Sequence, residues 1–115
     1  MAITLLSSQS SAIQLQDHIE YPETGIVSKL LIKDRVCQYT LFCLAAGTKL
    51  SEHIATRNAT IHVLNGNGVL TLLGQDITLE PNVFVFMPAN APHALQAQEN
   101  LAFLIILSEA PLALG

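Results

Sequence analysis

Four histidines and two cysteines are the side chains of this 115-residue chain best suited to hold a metal ion or act as a nucleophile. His18 lies in the polar stretch Gln16-Asp17-His18-Ile19 near the N-terminus and reads as a solvated residue. His62 lies in the strand-like run Ala59-Thr60-Ile61-His62-Val63-Leu64. His53 follows Ser51-Glu52, and His93 follows Ala91-Pro92. Cys37 and Cys43 share one extended run, in which six residues of strand separate their Cα atoms by roughly 20 Å. A disulfide needs about 7 Å or less, so the two read as reduced, buried thiols of a cytoplasmic protein. A nucleophilic Cys43 assisted by histidine is the rival reading. Other chemistries find no support. The chain has no Gly-Lys-Ser/Thr phosphate loop and no Gly-x-Ser-x-Gly elbow. Gly66-Asn67-Gly68 resembles part of a nucleotide motif but has no helix after it.

Composition narrows the partners. Net charge is −4 with only five basic residues, and these are scattered. A nucleic-acid binder needs a basic footprint to engage phosphates, so neither nucleic acid nor an anionic membrane surface is expected. The longest apolar stretch, Leu101 to Leu107, is too short to span a bilayer as a helix. The first ten residues carry no basic region of the kind that opens a secretory signal. The charged fraction is 12%, about half of what is usual. Uncharged polar residues and a surface buried in a homodimer together account for that deficit.

The elements that must position the histidines are short strands. One domain is expected. Residues 1–24 read as an N-terminal arm with one short strand, 25–107 as a β-rich body and 108–115 as a loose tail. Strand-like runs fall at Ile26–Ile32, Val36–Leu44, Lys49–His53, Thr60–Leu64, Val69–Leu73, Ile77–Leu79, Val83–Met87, His93–Gln98 and Phe103–Leu107. Turn signals separate them. Asn65-Gly66-Asn67-Gly68 is the strongest, because Asn and Gly accept the positive φ of tight hairpins. Gly74-Gln75-Asp76 marks another reversal. Many short strands near ten-residue spacing, without helical periodicity, predict an all-β sandwich or closed barrel.

Two stretches then resemble the paired motifs of the cupin superfamily. The first family motif runs Gly, five residues, His, one residue, His, three or four residues, Glu, six residues, Gly. Here Gly47, His53 and Gly66 fall in register, but Ala55 occupies the second His position and Ala59, with the three-residue gap, the Glu position. The second motif runs Gly, five residues, Pro, one residue, Gly, two residues, His, three residues, Asn. Asn82 and Asn90 stand at its Gly positions, Pro88 and His93 are in register, and Ala97 replaces the Asn. Asn is the best substitute where φ is positive.

The resemblance spans about residues 25–107. It implies a double-stranded β-helix, a jelly-roll-like barrel closed around a pocket. It looks most like small single-domain cupins of unassigned function with an incomplete ligand set. Such a family site holds Fe, Mn, Ni, Cu or Zn with three His and one Glu. The resemblance supplies His53 and His93, and a third ligand would have to be His62 or Glu52. Strand alternation turns His62 away from the face of Ala59, unless a bulge or the four-residue gap, which puts Thr60 at the Glu position, reverses the phase. Pocket walls are expected from Leu41, Val63, Phe84, Phe86, Met87 and Phe103. Three readings follow: a small-molecule binding or sensing module, with or without a residual divalent metal; a metal-dependent dioxygenase- or isomerase-like enzyme; and a protein that acts only through association.

Overall fold

The computed structural model describes residues 4–7 and 9–110. Nine strands form, one for each predicted run: β1 (Ile26–Lys33), β2 (Cys37–Leu44), β3 (Lys49–His53), β4 (Asn58–Asn65), β5 (Gly68–Leu72), β6 (Gln75–Leu79), β7 (Phe84–Met87), β8 (His93–Ala97) and β9 (Leu101–Ser108). They make two antiparallel sheets, a five-stranded one of order β1-β2-β9-β4-β7 and a four-stranded one of order β3-β8-β5-β6. The structure corrects the expected closed barrel: among the described residues no ladder joins the two sheets, and β1, β7, β3 and β6 are the edges. The sheets meet instead through their side chains.

Alternation decides what each face carries. In β4, Ala59, Ile61 and Val63 are buried while Thr60 and His62 on the other face are half-exposed. In β7, Val85 and Met87 are buried and Phe84 and Phe86 are exposed. The inward set joins Leu44, Leu70, Leu95 and Phe103 in the core between the sheets. A second core, made of Leu31, Leu41, Cys43 and Ala102, lies on the outer face of the five-stranded sheet. It is covered by the N-terminal arm through Ile13, Leu15, Ile19 and Tyr21.

Among the described residues of the arm, Leu15–His18 forms a 3-10 turn. The arm is fastened along its length. Leu5 and Leu6 N–H donate to the carbonyls of Leu30 and Leu31 (2.9 and 2.8 Å). The Gln16 and Asn65 amides bond reciprocally. Lys29 Nζ reaches the His18 carbonyl at 2.9 Å and Glu20 Oε1 at 3.0 Å.

The turns use the predicted chemistry, with one shift. The β4–β5 hairpin turns at Gly66, φ +96, and a Cβ there would sit 1.9 Å from the Asn100 carbonyl oxygen, so only Gly fits. The β5–β6 reversal falls one residue earlier than expected, on Leu73 (φ +51) and Gly74 (φ +79). Ser108 still belongs to β9. The rest of the expected tail falls mainly on 111–115, outside the described residues.

Candidate functional site

His53 ends β3 and His93 begins β8, and the two are direct cross-strand partners. Their ring centroids are 4.2 Å apart with the planes at 62°. Simple alternation would not bring this about. Leu50 pairs with Leu95 and His53 with His93, so β3 spends three residues where β8 spends two. This bulge resets the phase. Leu50 and His53 both reach the interior, and Glu52 is left exposed on the other side. A bulge was the device considered for His62; the chain uses it for His53.

Both imidazoles are held alike. His53 Nδ1 lies 3.0 Å from the carbonyl oxygen of Ser51, and His93 Nδ1 lies 2.9 Å from that of Ala91, in each case two residues back along the chain. A carbonyl oxygen only accepts, so Nδ1 carries the proton in both rings. In the neutral form each Nε2 is then a free lone pair. His93 is buried (8% exposed), whereas His53 stands at the rim.

The rings border a cavity of about 530 Å³ between the sheets. Its opposite wall is Ser28 and Leu30 of β1 with Gln38 and Thr40 of β2. Ala55 and Ala59 complete the side next to the histidines. Among the described residues no Lys, Arg, Asp or Glu lines it. A narrow apolar extension of about 60 Å³ runs inward past both rings, between Phe42, Met87 and Phe103. The mouth is braced by Asn90 N–H donating to the Ala55 carbonyl (2.7 Å) and Ala89 N–H to Asn58 Oδ1 (2.9 Å). Asn90 (φ +70) and Asn82 (φ +75) take the left-handed backbone expected of them.

A family model for the cupin domain matches residues 40–107, more than half of the chain. The chain belongs to the cupin family. Among solved structures this cupin is similar to a conserved protein of unknown function from Streptococcus pyogenes, with TM-score 0.82, 22% identity and 98% and 97% of the two chains covered. It is similar to a cupin superfamily protein from Desulfitobacterium hafniense, with TM-score 0.82, 26% identity and 95% and 99% covered. It also matches a Cupin 2 conserved barrel domain protein from Leptotrichia buccalis, with TM-score 0.79 and 32% identity, over 84% of this chain and 47% of that one. No curated protein matches the chain.

The candidate residues of this cupin fall on two sides of the five-stranded sheet. His53 and His93 come together. His62 does not join them: it lies on the outer face, paired with Phe84 at 6.2 Å between rings, because Ala59, Ile61 and Val63 take the inner face. Glu52 is turned away by the bulge, and His18 stays in the arm. Cys43 is buried in the outer core, away from the cavity, and burial pushes its thiol pKa up. That is the wrong direction for a nucleophile.

Among the described residues no three His, Cys, Asp or Glu side chains cluster to hold a metal. A metal bound as the family resemblance implies would need donors at 55 and 59. Both are Ala, both border the cavity, and the residues present therefore do not fit the four-ligand set. The expected walls also need correction. Met87 and Phe103 border the inner extension. Val63 belongs to the core between the sheets. Leu41 lies under the arm, and Phe84 and Phe86 face outward. Ser28, Gln38 and Thr40 were missed, although the alternation of Gln38, Thr40 and Phe42 against Tyr39, Leu41 and Cys43 is written in β2.

Proposed function

We propose that this cupin binds a small organic molecule in the cavity between its sheets, with His53 and His93 as the polar pole. The observation that carries the reading is the neutral, two-walled cavity of about 530 Å³. Apolar surface, a few fixed polar groups and two oriented imidazoles are what a small-ligand site requires. The absence of charge from its walls favours ligands that are uncharged or that bring their own counter-charge. A thermal-shift screen of small molecules tests the reading, since a ligand that binds only the folded protein raises the melting temperature. The hit should lose its effect in Ala55→Leu, which narrows the mouth. It should keep its effect in Thr71→Ala, on the outer face of the four-stranded sheet. Equal stabilisation of both variants would place the ligand elsewhere and sink the proposal.

The metal-dependent enzyme is supported by one observation, the pair of free Nε2 lone pairs in the tautomer that metal-ligating histidines use. It requires a third protein donor, and among the described residues none stands beside the pair.

We also read the chain as a homodimer formed through the free edge of β7. Phe84 and Phe86 are 65% and 54% exposed there. The strand Phe-Val-Phe-Met has no charge and no internal Pro to blunt it. Its neighbours on that face, Thr60, His62, Leu104 and Ile106, include no Asp, Glu, Lys or Arg. A second copy would meet the seam without like-charge repulsion despite the net charge of −4.

A further inference from the structure

The locked tautomers and the uncharged walls together restrict the chemistry of the occupant. We infer that the cavity selects an uncharged ligand that presents a pair of adjacent hydroxyl groups from a compact apolar body, with the two imidazoles themselves as the hydrogen-bond acceptors. The inference rests on the cavity being the ligand site.

Three features carry it. First, Nδ1 of each ring is spent on a backbone carbonyl, that of Ser51 for His53 (3.0 Å) and that of Ala91 for His93 (2.9 Å). Each neutral ring therefore offers the cavity one acceptor, Nε2, and no donor. The rings stand 4.2 Å apart, so a polar group that meets one of them has the other beside it. A ketone, ether or carboxylate would set its own lone pairs against these acceptors and leave both unsatisfied, whereas one O–H to each ring satisfies both. Second, among the described residues no charged side chain borders the cavity. An ammonium or a carboxylate held there would be desolvated without a counter-charge, so aliphatic amines are a poor source of the two donors. Hydroxyls stay neutral, and their oxygens also accept. Across the cavity Gln38 Nε2 donates to Thr40 Oγ1 at 3.5 Å, which leaves the Thr40 hydroxyl hydrogen, with that of Ser28, to donate to the ligand. Third, the space beyond the rings is narrow and apolar, about 60 Å³ between Phe42, Met87 and Phe103. It admits a hydrocarbon group and offers no hydrogen bond to a hydrated one.

The test measures binding to the purified full chain by calorimetry, near pH 8 and thus above the ordinary imidazole range, in buffer that contains a chelator. The probes are cis-1,2-cyclohexanediol, its dimethyl ether and cis-1,2-cyclohexanedicarboxylate. They share one apolar ring and differ in what they show the histidines. The diol should bind at least about tenfold more tightly than either of the others, because each of them leaves two acceptors unpaired. His53→Phe and His93→Phe keep an aromatic ring but remove the acceptor, and each should bring diol and ether to within about threefold of one another. The ligand series is read on the natural chain, so it decides even where a variant fails to fold. Ether or dicarboxylate binding as tightly as the diol overturns the inference, and so does diol binding that appears only when the chelator is left out. If no probe binds while the thermal-shift screen yields a cavity ligand, that ligand decides. Loss of its affinity on methylation of its hydroxyls supports the inference; a hit without hydroxyls, or one indifferent to methylation, overturns it and leaves the cavity as a ligand site. If the screen is empty too, both readings fall.

Discussion

The family resemblance singled out His53 and His93 by their register with Gly47 and Pro88, and the structure brings the two rings side by side. Their tautomers were not legible, since a hydrogen bond to a carbonyl two residues back depends on local backbone geometry. That lock makes a direct prediction. Multiple-bond ¹⁵N–¹H NMR of the neutral protein should show both rings protonated at Nδ1. An Nε2–H pattern for the buried His93 would contradict the geometry, and with it the orientation on which any ligand reading depends. Gln38 and Thr40 were invisible for a different reason. The alternation of β2 separates Gln38, Thr40 and Phe42 from Tyr39, Leu41 and Cys43, but the apolar set is buried under the arm, so polarity alone does not say that the mixed set faces a cavity rather than solvent. The exposed pair Phe84 and Phe86 misled in the opposite sense, since aromatic residues in a strand normally read as core.

Elements were predicted better than residues, because turns are chosen by local backbone chemistry. The β5–β6 reversal is the exception that explains itself. Its first turn position is Leu73, a bulky residue at φ +51, whereas sequence reading expects Gly, Asn or Asp there. A left-handed backbone costs an ordinary L-residue about 1–2 kcal/mol. Leu73→Asn is therefore expected to stabilise the protein by about 1 kcal/mol, raising the melting temperature by roughly 4 °C in a domain of this size. Unchanged or lower stability in a denaturant titration would show that Leu73 makes compensating contacts. The β1–β2 turn carries a titratable device. Asp34 Oδ1 accepts the N–H groups of Val36 and Cys37, both at 2.8 Å, and these bonds hold its carboxyl below the usual carboxylate pKa. A depressed folded-state pKa means a contribution to stability that is present above the ordinary value of 3.8 and lost as pH falls through the lower, folded one. Stability in acid should therefore decline less steeply in Asp34→Asn than in the natural chain. Parallel declines below pH 4 would remove Asp34 from the account.

At the scale of the molecule, the layered β architecture was legible in the regular spacing of strands and turns. Closure was not, because whether two sheet edges join depends on strand tilt and stagger, which leave no mark in composition. The low charged fraction and the outward aromatics of β7 motivate the proposed dimer. Sedimentation at micromolar concentration should give twice the chain mass, and Phe84→Lys together with Phe86→Lys should halve it. A monomeric natural chain would refute the dimer. Soluble dimers of the double variant would move the interface to another face.

The extra residue in β3 sets which side chain faces the cavity at its rim. Leu50 is held against the core between the sheets, whereas Ser51 and Glu52 are exposed. Removing one of them would restore ordinary pairing, with Leu50 opposite Leu95 and the second residue after it opposite His93. Deleting Ser51 would keep His53 at that station, whereas deleting His53 would send the next side chain outward and swing Glu52 inward. Loss of the one codon for His53 would thus exchange an imidazole for a carboxylate at the mouth of the site while both sheets stay as they are. Diversification of the chemistry would then proceed by length change in β3 rather than by substitution in the core.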